Sequence, residues 1–284
     1  MVVKSLLNFN LNLVYSPLRP SLLARVLSLW CSLFFLLSSC STFIIPIKTN
    51  KKKNIAEKVG QMQGSDYQDH LASLKKSFLS TEGIKTINLD SGSESYLTKL
   101  LNDIILNNEI FFTKIKNATV TILDNEAPLH FSLPKGEIFL SKGLISKYVK
   151  HESVLAGILS FELIKSEKML YPIQTAIPLG FFPLERILSI NRLNLDEKIE
   201  VHKWAHHSTE RSGFDGEYYL TWLQTQNRNT ADFILLVGDV NQLTREESLF
   251  KAFLINEAKE DKVITRKNSS KQFYNFINRI RDVV

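Results

Sequence analysis

Residues 129–165 read LHFSLPKGEIFLSKGLISKYVKHESVLAGILSFELIK, and a change of hydrophobic period inside this stretch decides the fold class. Leu129–Leu133 and Glu137–Leu140 are short apolar-rich segments separated by Pro134-Lys135-Gly136, the pattern of strand, turn and strand. Ser141–Val149 reads as a short helix. From about Glu152 the residues Val154, Leu155, Ile158, Leu159, Glu162 and Leu163 surround one inward face of a longer helix. Strands grouped together and followed by helices specify an α+β domain.

Outward from this core, Ala118–Leu123 supplies a third strand, so the three segments predict a small antiparallel sheet. Upstream, Ser93 is placed to cap a helix carrying Tyr96, Leu97, Leu100, Leu101, Ile104 and Ile105 at helical spacing. Residues 48–75 are polar and read as a tether leading into a short helix. Downstream, Pro172, Pro178 and Pro183 break an apolar stretch that reads as a core-covering loop, with a membrane-facing patch as the alternative. Helices follow over 195–210 and 216–225, and Phe273, Phe276, Ile277 and Ile280 form the stripe of a terminal amphipathic helix. The expected organisation is a leader over 1–39, a tether with a helical segment over 40–91, a domain over 92–232 and an extension over 233–284.

The leader carries Lys4, Arg19 and Arg25 without an acid, then the apolar run Val26–Leu37, then Leu37-Ser38-Ser39-Cys40. Basic flank, apolar core and small residues before a cut are the parts of a secretory signal. A cut ending in cysteine resembles the bacterial lipobox, which implies lipidation at Cys40. A transmembrane anchor is the alternative, but the run is shorter than the roughly 20 residues a spanning helix needs. The implied address is the cell envelope, lipid-anchored on the periplasmic side. Serine and threonine after Cys40 favour the outer membrane. Removing the leader takes three basic residues and no acid, so the net charge of +6 falls to +3. That balance demands no nucleic acid. The chain's cysteines are Cys31 and Cys40, so the mature part offers neither a disulfide nor a cysteine metal site.

Two blocks resemble the membrane-associated zinc metallopeptidase family of HtpX, BepA and the CAAX prenyl proteases. Residues 131–144, FSLPKGEIFLSKGL, are similar to its NAFALPGGxIxVxxGLL block, and residues 152–162, ESVLAGILSFE, to its EAELAAVLGHE block. The resemblance covers about 93–222 and implies a zincin-like fold. In the family's HExxH pentad two histidines bind zinc and the glutamate activates the metal's water. Here the pentad is Phe161-Glu162-Leu163-Ile164-Lys165. Glu162 is the vestigial general base, and Phe161 and Lys165 are degenerate metal positions. The family's third ligand precedes a glycine turn; reading back from Gly213-Phe214-Asp215-Gly216 lands on Lys198, with His202 at the supporting position. A slip of one residue would offer Glu197 instead.

No cofactor is expected from these residues, because an aromatic and two lysines cannot hold zinc. The resemblance therefore implies a pseudoprotease that binds or scaffolds envelope proteins or extended peptides. The edge strand Glu137, Ile138, Phe139 and Leu140 would take such peptides by β-augmentation. The alternative is an active zinc metalloendopeptidase that recruits the metal through Glu162, His202 and His206. His202, His206 and His207 otherwise read as a solvated helix face, and His130 as a strand residue without chemistry. A charge-replacement cluster is expected where the metal would be, pairing Glu162 with Lys165, Lys198 or both.

Overall fold

The structure, a computed structural model, describes residues 64–171, 182–258 and 268–282. The expected leader over 1–39, Cys40, the lysines that follow it and most of the proline-rich stretch lie outside these residues. Among the described residues no helix is long and apolar enough to cross a membrane.

The strand segments read from the sequence assemble into one sheet. Strands β1 (Thr86–Ile87), β2 (Thr119–Leu123), β3 (His130–Leu133) and β4 (Glu137–Ser141) are arranged in the order β1-β2-β4-β3. Three of them are the segments expected from sequence. The sheet is nevertheless mixed, because β2 and β4 run parallel while β1–β2 and β3–β4 are antiparallel. The expectation of an antiparallel sheet with Glu137–Leu140 at its edge is therefore corrected: β4 lies between β2 and β3, and its backbone is engaged on both sides. The hairpin from β3 to β4 turns through Lys135 (φ 70°) and Gly136 (φ 76°), which swings β4 inward and leaves β3 outermost. Glu137 is also committed at its side chain, to Lys75 and Thr119.

Period-2 alternation distributes the strands' side chains between two cores. Phe139, Phe131, Leu133 and Leu123 face one side, against Tyr67, Leu71, Leu74 and Phe78 of helix α1 (Gly64–Leu79). The rings of Phe131 and Phe139 stack at 4.7 Å, and Phe78 meets both edge-on. Ile122, Ile138 and Leu140 face the other side, against α2 (Ser91–Leu106) and α3 (Glu152–Glu167). Asp90 caps α2 by accepting from the Ser93 amide at 2.7 Å; Ser93 itself lies inside the first turn rather than at the cap.

Helix α3 is buried along its whole length, which fits its apolar residues on every side. It packs against α5 (Leu195–Arg211) and α6 (Glu217–Arg228), while α4 (Leu184–Asn191) packs on β3. Gly157 permits the α6 contact: a Cβ there would stand 2.8 Å from the Tyr219 ring. Helices α7 (Thr230–Val237), α8 (Val240–Asn256) and α9 (Lys271–Asp282) follow. Phe233, Phe250, Phe253, Phe273 and Phe276 from these last helices belong to the same core as α2 and α3.

Candidate functional site

Every charged side chain on α3 is buried and each has partners. At the N-terminal end Glu152 accepts from the Tyr96 hydroxyl and from the Ser270 amide and hydroxyl. At the C-terminal end Glu167 accepts from the amides of Thr113, Lys114 and Ile115. These two carboxylates fasten loops to the helix. The third, Glu162, is in the middle.

Glu162 is 1% exposed. Its Oε1 accepts from His130 Nδ1 at 2.7 Å, and its Oε2 accepts from Lys165 Nζ at 3.1 Å. His130 reaches it because β3 alternation turns His130 and Ser132 toward α3, while Phe131 and Leu133 turn away. Ser132 Oγ donates to the Glu162 carbonyl at 3.1 Å, tying strand to helix at this point. Burial works against the Glu162 charge, but the Lys165 ammonium and the His130 hydrogen bond overcome it and hold the carboxyl at about 2. For Lys165 burial dominates and pulls its pKa below the ordinary lysine value, with the Glu162 carboxylate opposing that pull.

Lys198 does not join this pair. It donates to Glu246 Oε1 on α8 at 2.7 Å, and Glu246 Oε2 lies 3.6 Å from His202 Nε2. On the other side of the ring, His202 Nδ1 and the Tyr219 hydroxyl share a hydrogen bond of 2.8 Å. Burial lowers the His202 pKa and raises that of Tyr219 well above its ordinary value. Two His–Glu–Lys groups result, the buried His130–Glu162–Lys165 and His202–Glu246–Lys198, in which Lys198 is partly exposed. Phe161 lies between their imidazoles, 6.0 Å from the His130 ring and 4.8 Å from that of His202.

Phe161, Glu162, Lys165, Lys198 and His202 come together in space, although Lys198 pairs with Glu246 rather than with Glu162. They line a cavity of about 100 Å³ together with Trp222 and Arg192, smaller than the roughly 150 Å³ that holds a benzene. His130 Nε2, His202 Nε2 and Glu246 Oε2 are buried without a hydrogen bond. As a general base Glu162 is poorly placed, with both oxygens engaged and its pKa far below neutrality.

Several expectations are corrected here. His202 and His206 are 3% and 4% exposed, not solvated; α8 covers the face of α5 that carries them. His130 is a principal partner of Glu162 rather than a passive strand residue. Glu197, the one-residue slip, is used in a capping box with Asn194 at the start of α5. Among the described residues Glu162, His202 and His206 do not converge as a metal-ligand set; His206, His207 and Glu210 do. Nothing local marks Glu246: it is one of two adjacent acids on a helix, 48 residues after Lys198.

No family model matches the chain, and no curated protein matches it.

Proposed function

We propose that this chain is a non-catalytic, metallopeptidase-type lipoprotein of the bacterial envelope that binds or scaffolds envelope proteins. In this reading the domain is a zincin-like α+β fold in which α3 corresponds to the family's active-site helix. The observation that carries it is the state of Glu162: a buried lysine and a histidine hold the carboxylate that would otherwise activate a metal-bound water. Lysines at 165 and 198 supply positive charge where the resemblance puts ligands, so the site is neutralised without an ion. The cavity takes no more than a side chain, which suits an anchoring contact better than a cleft that embraces a polypeptide. Backbone recognition would fall to β3, which has a single partner among the described strands.

The decisive experiment incubates the purified full chain with an unfolded protein substrate and zinc, beside Glu162→Gln. The expected result is no cleavage above background for either protein. Zinc-dependent cleavage by the wild type that disappears in Glu162→Gln would replace this reading with the active endopeptidase.

A further inference from the structure

We propose that His206, His207 and Glu210, in the last turns of α5, bind one divalent transition-metal cation, zinc foremost. This site is separate from the Glu162 cavity and independent of the pseudoprotease reading. One ligand atom from each of the three residues lies within 4.8 Å of the others. Glu210 Oε2 is 3.4 Å from His206 Nδ1 and 4.0 Å from His207 Nδ1. Zinc bonds of about 2.0–2.1 Å in a tetrahedron put neighbouring ligands about 3.3 Å apart. The first pair is already at that separation, and a small side-chain rotation of the half-exposed His207 closes the second.

A second observation points to a ligand. His206 is more than nine-tenths buried, and its Nδ1 makes no hydrogen bond although it faces the carboxylate. The backbone leaves room for these side chains: a Cβ on Gly216 would stand 2.7 Å from both His206 Nε2 and Glu210 Oε1. Phe253 walls the site, with its ring 5.9 Å from His206 and 5.5 Å from His207. The helix's C-terminal carbonyls favour a positive ligand.

Two imidazoles and a carboxylate suit zinc, nickel or copper rather than calcium or magnesium, which take oxygen ligands almost throughout. Three protein ligands leave a fourth position for water.

The test is a calorimetric zinc titration of the chelator-treated full chain, repeated in excess magnesium. His207→Ala and Glu210→Gln change half-exposed positions, and Glu200→Gln on the same helix is the control. One equivalent should bind, at least tenfold more weakly in both variants and unchanged in the control and in magnesium. Cobalt should give a tetrahedral absorption spectrum that both variants lose. Absence of saturable binding, or binding that both variants retain in full, would overturn the proposal.

Discussion

Buried charge is the dominant fact at the scale of single residues. Glu162 and Lys165 are 1% and 3% exposed and one turn apart on α3. Removing one member of a buried pair strands the other, at a cost of about 3–5 kcal/mol. Glu162→Gln should therefore lower unfolding stability by roughly that amount at pH 7. The folded carboxyl is depressed from 4.5 to about 2, so its contribution is present above the unfolded value and disappears as pH falls toward 2. The gap between wild type and Glu162→Gln should accordingly narrow between pH 4.5 and 2. Lys165→Met added to Glu162→Gln should recover most of the loss, since no charge then remains without its partner. Urea denaturation of the three proteins at pH 7 and pH 3 checks all of this; equal losses at both pH values would show that the pair carries no charge-dependent stability.

Helix α3 shows, at the scale of elements, how much the sequence reveals. Its position, its inward face and the Glu162–Lys165 spacing are legible, because helical period is a local property of 16 residues. The three longer strands are legible from their alternation for the same reason. Strand order is not: the placement of β4 between β2 and β3 depends on a pairing that no local signal encodes, and the local pattern alone reads β4 as an edge. Helix α1 was half-hidden. Its stripe of Tyr67, Leu71, Leu74 and Phe78 is regular, but lysines and serines between them dilute the apolar signal. The contact of α3 with α6 gives a further test. Alanine for glycine in a helix ordinarily gains up to about 1 kcal/mol. At Gly157 the new methyl would meet the Tyr219 ring at 2.8 Å, and overpacking of this kind costs about 1–3 kcal/mol. Gly157→Ala should lower the thermal midpoint; a rise would mean that α3 and α6 are less closely packed than described.

Over the whole molecule, long-range packing assembles the cavity. Phe161, Glu162, Lys165, Lys198 and His202 are the residues the resemblance singles out, and they line it together. His130 became a partner only through the sheet, and Glu246 only through the return of α8 onto α5. Both His–Glu–Lys groups draw on elements far apart in sequence, so the site exists only when the described helices and sheet are assembled. The Lys165 ammonium balances the Glu162 carboxylate and leaves the site electrically closed. The most direct measurement is a carbon NMR titration of the Glu162 carboxyl in the full chain. The carboxyl should remain ionised down to about pH 3 and titrate near 2. Titration near neutrality, the behaviour of a poised general base, would contradict that balance.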